Sequence, residues 1–352
     1  MTNEHLARLG SGGRPAGSAA TAEARSYCAT ALERAGFTTT EHTFSYSAFV
    51  GAWATPVAGV VCGVVAVGLF VGRLVPGVTM LSLVALFVSL AILAWVGKRG
   101  VLDLALMRRV GVNLEAVRGK EPRIWLVAHI DSKWQPVSMI TRVIGVIGTA
   151  IGLIVLIMLS TFPDRTSLTA AGVALSVTWL ATAMLMLSVV GDRNAGTLDN
   201  ASGVATVLEA VSQIDAGISV GVLITDAEEL GLAGARAWAR GRAPGIALNC
   251  DSVDDIGRTT VMYSRSKPPL VEKVAAAAAA QSVDLRVLRL IPGILTDHVA
   301  LADAGWETLT LSRGGFRTLQ RIHTSRDTLE YMRGTGIAEV ARVIARTVTE
   351  LR

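Results

Sequence analysis

The sequence predicts an α/β fold, a mostly parallel mixed sheet flanked by helices, with two inserted transmembrane helical hairpins. Two observations lead to this prediction. In the carboxyl-terminal part, apolar runs such as Val220 to Ile224 alternate with helical segments, which favours a parallel sheet covered on both faces. Elsewhere, four long stretches contain no Asp, Glu, Lys or Arg.

The uncharged stretches account for the high apolar content, which is 51% of 352 residues. A helix needs about 20 residues to cross a hydrocarbon layer of roughly 30 Å, and each stretch is long enough. Buried core helices are the alternative, but four uncharged stretches of this length favour membrane spans. We therefore predict a multi-pass protein of the cell membrane, with the lipid bilayer as a partner and helices pairing as 51–72 with 76–97 and 141–161 with 168–190.

Composition also limits the other function classes. The first 42 residues are polar and charged, so we predict no signal peptide. The three cysteines are an odd number, and Cys62 lies within a predicted span, so no disulfide framework is expected. The net charge of +5 does not indicate nucleic-acid binding.

The remaining elements follow from local patterns. Gly36 ends a helix that begins near Ala20, and an alternating strand follows it. Residues 101–109 form a short connector between the first hairpin and two strands. The predicted strands are 38–46, 111–117, 123–130, 219–225, 245–250, 259–263, 286–290 and 307–312. The predicted helices outside the hairpins are 20–35, 202–214, 231–240, 268–281, 297–304 and 335–351.

Acids and histidines stand at five places near predicted strand ends or in loops: His129 with Asp131, Asp199, Glu228 with Glu229, Asp251, and His323. Ligands of open α/β sheets gather at the carboxyl ends of the strands, so these side chains can share one crevice. The Glu228–Glu229 pair also suits the solvated first turn of a helix. Buried carboxylates need a positive partner, and a divalent metal is the obvious one.

Histidine and carboxylate without a thiolate cluster favour zinc, or alternatively cobalt or manganese. The chain has only five histidines, and two of them, His129 and His323, fall in the predicted crevice. A single carboxylate can bridge two ions roughly 3.5–4 Å apart. The pattern therefore predicts a metal centre rather than isolated core histidines.

In this order, the motifs resemble those of peptidase family 28, the co-catalytic zinc aminopeptidases and carboxypeptidases. The family shows His-x-Asp, Asp-Asn, Glu-Glu, an Asp after a strand and a late His. The chain has all five, together with Arg14-Pro15-Ala16-Gly17-Ser18 and Thr296-Asp297-His298. The resemblance covers residues 1–46, 111–138 and 192–352, and it implies a zinc-exopeptidase-like fold.

The resemblance also implies the roles of the site residues, with two zinc ions per chain. Its metal ligands are His129 and Asp251 on one ion, Glu229 and His323 on the other, and Asp199 as the bridge. Glu228 would be the general base, and Asp131 would orient His129. Asp254 and Asp255 remain alternatives to Asp251.

By this resemblance the chain is expected to be a zinc exopeptidase that acts on peptides, with aminopeptidase activity as the default, and the predicted spans would anchor it in the membrane. Arg313, Arg317 and Arg321 either bind a substrate carboxylate or are surface charges. A glutaminyl-cyclase-like acyltransferase, which keeps one zinc, is an alternative. So is a non-catalytic membrane receptor or scaffold, whereas a transporter is less favoured because the spans carry almost no charge.

The hairpins interrupt the sequence of the predicted peptidase domain but leave all of its parts on one side of the membrane, since each hairpin enters and leaves on the same side. The divisions are 1–50, 98–138 and 192–352 for the peptidase domain, and 51–97 and 139–191 for the hairpins. Lys98, Arg99, Arg142 and Arg193 flank the catalytic side, against Arg73 and Arg165 on the other. This bias predicts that the catalytic domain faces the cytoplasm.

Overall fold

The sheet is organised around two central strands made almost entirely of apolar residues. In the computed structural model, which describes residues 2–75, 77–163, 166–290 and 294–352, every residue of these two strands is buried. Neighbouring strands extend the sheet on both sides, in the order β1-β2-β4-β3-β5-β8-β6-β7. The eight strands of the described residues are β1 (Thr38–Ser47), β2 (Arg108–Arg118), β3 (Ile124–His129), β4 (Val220–Thr225), β5 (Ile246–Val253), β6 (Arg258–Tyr263), β7 (Leu285–Arg289) and β8 (Glu307–Gly314).

The four inner strands β4, β3, β5 and β8 are parallel to one another. Their carboxyl ends therefore lie along one edge of the sheet, where His129 pairs in register with Thr225. Strands β1 and β2 are antiparallel additions on one side, and β6 is antiparallel to β8 on the other. The predicted mostly parallel mixed sheet flanked by helices is confirmed.

Helices cover both faces of the sheet, and four further helices are apolar along their whole length. The α-helices in the described part of the chain are α1 (Thr2–Leu9), α2 (Ala19–Arg34), α3 (Phe49–Val71), α4 (Val78–Trp95), α5 (Val101–Asp103), α6 (Met139–Thr161), α7 (Leu168–Met186), α8 (Ser202–Gln213), α9 (Ala233–Ala239), α10 (Leu270–Ala280), α11 (Asp297–Asp303), α12 (Phe316–Arg321) and α13 (Thr335–Glu350). A single π-helical turn occupies Val96–Gly100 and a 3₁₀ turn occupies Leu329–Tyr331, whereas Thr197–Ala201 is a turn whose backbone is not helical at Asp199 and Asn200.

The larger core lies between the sheet and helices α8 and α13, whose buried faces are rich in Val, Ile and Ala. The opposite face is covered by α9 and α11. There Trp125, Trp238 and Trp306 form a row, with successive ring centroids 4.8 and 5.0 Å apart. Burying both faces fixes the strand register, because a shift of one residue would turn every side chain to the wrong side.

Among the described residues, four helices, α3, α4, α6 and α7, are long and apolar enough to cross a membrane. They share a small core that includes Leu69 and Leu156, while much of their apolar surface is exposed. At one end of the bundle, the Arg73 guanidinium donates to the Leu159 carbonyl and to Thr166. Of the residues in the predicted hairpin turns, Pro76, Asp164 and Arg165 lie outside the described part of the chain.

Several predicted boundaries are wrong, and the backbone explains two of the differences. Helix α9 begins at Ala233 rather than at Gly231, because Gly231 and Leu232 have φ angles of 107° and 61°. Strand β5 continues to Val253 beyond a register shift that starts at Cys250, with Ser252 at φ 56°. The predicted connector at 101–109 contains helix α5 and the start of β2, and helices α1 and α12 were not predicted.

Candidate metal centre

His129 is the last residue of β3, and its ring is held by the loop that follows. The side chain is 1% exposed, and Nδ1 lies 3.1 Å from the backbone carbonyl oxygen of Asp131. A carbonyl only accepts hydrogen bonds, so Nδ1 carries the proton and donates it. The other nitrogen, Nε2, is then the one that a metal would bind, in its unprotonated form.

The Asp131 carboxylate joins the β3 loop to the β4 loop. Its two oxygens accept the backbone N–H groups of Glu228 and Glu229, each at 3.1 Å. The left-handed backbone of Ala227, at φ 57°, turns the chain just before these two donors. The carboxylate also lies 3.6 Å from Nδ1 of His129. Asp131 therefore positions His129 through its carbonyl oxygen and the glutamates through its carboxylate.

Carboxylates from three separate loops or strands surround Nε2 of His129. Asp199 Oδ1 lies 3.2 Å away, Asp251 Oδ1 3.9 Å away and Glu228 Oε2 4.0 Å away. His129, Glu228 and Asp251 each offer a ligand atom within one small group. Glu228 therefore lies about as near to Nε2 of His129 as Asp251 does.

A second group lies on the other side of Asp199. Nε2 of His323 is 3.0 Å from Asp199 Oδ2 and 3.2 Å from Glu229 Oε1. The two Asp199 oxygens therefore face different histidines. This arrangement brings the five predicted metal ligands together and puts Asp199 between the two groups.

The two alternatives to Asp251 are engaged elsewhere. The Asp254 carboxylate accepts the Thr318 hydroxyl at 2.9 Å and pairs with the Arg321 guanidinium at 3.2 Å. The Asp255 carboxylate accepts backbone N–H groups and the Thr335 hydroxyl at the start of α13. Among the three acids, Asp251 is the one that lies beside His129.

The basic residues before His323 have structural partners too. Arg321 pairs with Asp254 as described, and Arg313 lies 3.1 Å from Glu339. To bind a substrate carboxylate, each of these two arginines would have to break its ion pair with an acid of the same chain. These two arginines also differ from the surface charges that the sequence suggested as the alternative, because both side chains are mostly buried and paired.

Sequence reasoning missed Lys133, whose ammonium group enters the centre. Lys133 Nζ lies 2.6 Å from Glu229 Oε2, and both side chains are at least 90% buried. The only hint in the sequence is its position, two residues after the His129-x-Asp131 motif and at the start of the loop that leads to α6. A buried lysine so close to a motif of acids needs a carboxylate partner.

Asp327 and Arg14 support the site from behind. The Asp327 carboxylate accepts the backbone N–H groups of Leu198 and Asp199. The Arg14 guanidinium donates to the carbonyl oxygens of Ile130 and Gly196, and burial lowers its pKa to about 10. Both residues hold backbone that carries a predicted ligand, and neither was assigned this task from the sequence.

The carboxyl groups of the centre have divergent pKa values. Burial raises the pKa of Glu228 well above its usual range, against the opposing effect of His129, and burial also raises the pKa of Asp251. Burial acts in the same sense on Glu229, yet His323 and Lys133 lower its pKa to about 2. Divergent pKa values among neighbouring acids separate a group that exchanges protons from groups that stay ionised.

The donor set fits a pair of divalent ions. It combines two imidazole nitrogens with carboxylate oxygens, which are the ligands that zinc takes in catalytic sites. Glu229 Oε1 is buried and has no hydrogen-bond donor among the described residues, although it faces Nε2 of His323. Such an oxygen is costly to bury unless a cation is present, so this atom and its neighbours are suited to hold one.

Comparisons with known proteins agree with this geometry. The sequence model of peptidase family M28 matches residues 112–348, which include the predicted ligands and Glu228. A comparison with curated proteins gave no match.

Solved structures of similar fold include enzymes of two kinds. A zinc aminopeptidase from Bacillus subtilis has a TM-score of 0.60 at 12% identity, with 99% of this chain and 94% of that chain covered. An aminopeptidase from Aneurinibacillus sp. strain AM-1 has a TM-score of 0.59 at 13% identity, with coverage of 99% and 92%. A glutaminyl cyclase from Porphyromonas gingivalis has a TM-score of 0.58 at 15% identity, with coverage of 100% and 97%. At these identities the likeness is one of fold.

Proposed function

Because the chain belongs to peptidase family M28, we propose that it is a membrane-anchored, zinc-dependent exopeptidase acting as an aminopeptidase. The observation that carries the proposal is the convergence of two histidines and two further carboxylates around Asp199. The aminopeptidases among the solved structures of similar fold support the choice of activity. The substrate class is a peptide with a free amino terminus.

In this proposal two zinc ions are held by His129 and Asp251, by Glu229 and His323, and by Asp199 between them. The ions, when bound, supply Lewis-acid chemistry, which makes a water more acidic and draws electron density from the carbonyl group. The distances within each group and the unpartnered oxygen of Glu229 support this division of ligands.

Glu228 is the general base in the proposal. Its raised pKa suits a carboxylate that takes a proton from the attacking water and passes it to the leaving amine. The Asp131 carboxylate accepts the backbone N–H of Glu228, so the Glu228 side chain extends from a fixed position. Lys133 and His323 keep Glu229 ionised, which leaves the two adjacent glutamates with different tasks.

We also propose that α3 with α4 and α6 with α7 cross the membrane as two hairpins inserted into one peptidase domain. The corresponding insertions are 51–97 and 139–191, and the peptidase domain comprises 1–50, 98–138 and 192–352. The length and apolar character of the four helices support this. The bias of basic residues supports a cytoplasmic catalytic domain, and a reporter at the carboxyl terminus that is active only outside the cell would contradict it.

A glutaminyl-cyclase-like acyltransferase is the second candidate, since a glutaminyl cyclase has a similar fold. The feature that favours the peptidase is the presence of ligands for two ions, where a cyclase of this kind would hold one. A non-catalytic receptor or scaffold would have no need of either group of ligands.

Metal content and substrate screening together test the proposal. The full chain, purified in detergent, should bind about two zinc ions and release the terminal residue from aminoacyl anilides and short peptides. One ion with cyclisation of amino-terminal glutaminyl peptides would instead support the acyltransferase. A metal-free protein without activity on any of these substrates would overturn both candidates and favour the scaffold.

A further inference from the structure

A cavity of about 550 Å³ opens beside the candidate metal centre, a volume typical of ligand pockets. Asp131, Lys133 and Glu229 line its inner end. Its outer walls include Ala52 and Trp53, from the first turns of α3. One cavity therefore connects a metal-ligand residue with the start of an apolar helix that is long enough to span a membrane.

Helix α3 is seated directly on the loop that carries Glu229. A Cβ atom built on Gly51 would lie 2.2 Å from the Cα of Leu230, so only glycine permits this approach. Trp53 follows two residues later and is 44% exposed at the cavity wall. Because backbone meets backbone at Gly51, the wall formed by the start of α3 is in direct contact with the loop that carries Glu229.

The opposite wall follows the end of α7. Residues 189–192 line the cavity, and Gly191 is paired with Trp134 through two backbone hydrogen bonds of 2.9 and 2.8 Å. The Gln135 side chain donates to the Ser188 carbonyl, and the Gln135 backbone N–H donates to the carbonyl of His323. Both hairpins thus contribute a wall, and both walls are tied to segments that carry predicted ligands.

The rim beside α3 has the composition of a surface that meets lipid. Leu106, Met107 and Val110 are exposed although they lie outside the four apolar helices, and Arg108 and Arg109 stand between them. Met107 and Arg109 line the cavity, and the Met107 carbonyl accepts the backbone N–H of Ala48 next to the start of α3. Exposed apolar side chains mixed with arginines are typical of the boundary between a bilayer and water.

We infer that this cavity is a substrate cleft at the membrane surface and that it takes the end of a polypeptide that is itself attached to the membrane. The inference rests on the proposed peptidase function and names the substrate class for it. A terminus anchored a few residues away can reach Glu229 by running between α3 and the segment after α7. A freely diffusing peptide lacks this advantage.

The test varies the distance between the membrane and the cleaved bond. The full chain is reconstituted with zinc in phosphatidylcholine vesicles with a minor fraction of phosphatidylglycerol. Three peptide substrates share one sequence at their free amino terminus. Two carry a palmitoyl chain after a polar spacer of about three or about fifteen residues, which span roughly 10 and 50 Å when extended. The third carries no palmitoyl chain. Both anchored peptides are concentrated equally on the vesicle, so co-localisation alone does not distinguish them.

If the cleft lies at the membrane surface, the protein should cleave the short-spacer peptide at least as efficiently as the long-spacer peptide. The kcat/KM for each anchored peptide should exceed that for the free peptide about tenfold or more. Cleavage of the long-spacer peptide alone, or equal cleavage of free and anchored peptides, would overturn the inference while the peptidase function stands. Cleavage of none of the three by zinc-loaded protein would overturn the function and the inference with it.

A pair of tryptophan variants tests the wall itself. Trp53→Ala removes an exposed ring from the cleft and should lower kcat/KM for the short-spacer peptide about tenfold. Trp179→Ala, a matched change at an exposed position in the middle of α7, should leave it within about twofold. Zinc content of both variants reports folding. Equal effects of the two changes would count against a cleft formed by the start of α3.

Discussion

The two halves of the candidate metal centre are built in different ways, although Asp199 contacts both. His129 and Asp251 come from adjacent parallel strands, β3 and β5, whose register is fixed by a buried sheet. Glu229 and His323 come from loops, and His323 itself has a left-handed backbone at φ 65°. In the strand half, regular sheet pairing holds His129, and Asp251 follows the register shift at Cys250. The loop half depends on individual hydrogen bonds and on Lys133.

The electrostatics of the two halves differ in the same way. In the strand half, burial raises the pKa values of Glu228 and Asp251. In the loop half, His323 and Lys133 outweigh burial and lower the pKa of Glu229. In the loop half, His323 and Lys133 therefore favour the ionised form of the predicted ligand Glu229. Four sets of variants test how far the halves are independent.

The largest effect is expected from Asp199→Ala, because Asp199 belongs to both halves. Each ion would lose one carboxylate oxygen, so both should dissociate and peptide hydrolysis should be lost. Zinc per chain, measured by atomic emission, and the rate of hydrolysis report the outcome. Asp284→Ala, at an exposed acid paired with Arg258, is the matched control and should retain both ions. Two ions bound to the Asp199 variant would refute the bridge.

Glu228→Gln should lower kcat about 10²–10⁴-fold, since the amide no longer accepts a proton from water. Zinc content should stay unchanged if Glu228 is the base. Because Glu228 is 4.0 Å from His129 Nε2, the same variant tests whether it is a ligand of the strand half instead. Loss of one ion would assign Glu228 to the metal, and full activity would remove it from the mechanism.

Two single-ligand variants ask whether the halves lose their ions separately. Asp251→Ala should release about one ion from the strand half, and His323→Ala should release about one from the loop half. Isothermal titration with zinc should then show one remaining site in each variant, with a different affinity in each. Loss of both ions from either variant would mean that the halves form one cooperative unit rather than two.

The same contrast explains what the sequence could reveal. The inner strands, with His129 at the end of β3 and Asp251 near the end of β5, follow from apolar runs that lead to a ligand-type residue. Burial on both faces leaves those runs little freedom. The start of α9 could not be predicted from the sequence, because Leu232 is an ordinary helix former that the surrounding loop holds at a positive φ. Propensity is a weak guide where tertiary contacts decide the backbone.

The position of Lys133 in the candidate metal centre could not be predicted from the sequence for a related reason. A lysine after a strand is normally a solvated charge, and only the long-range packing of the 132–138 segment turns it inward. Gln135 anchors that segment to the carbonyl of His323, which lies far away in sequence. The partner of Lys133 is Glu229, 96 positions further on, and no local pattern connects the two.

The smallest effect is expected from Lys133→Met, and it concerns stability rather than turnover. Removing one partner of a buried ion pair leaves Glu229 Oε2 without its ammonium partner, which should destabilise the zinc-free protein by roughly 3 kcal/mol. A bound ion supplies the missing positive charge, so the zinc-loaded variant should lose much less. The rise in Tm on adding zinc should therefore be larger in the variant than in the original protein. Lys267→Met, which breaks an exposed pair with Glu272, should leave that rise unchanged. An equal rise in all three proteins would mean that Lys133 does not substitute for a metal in the loop half.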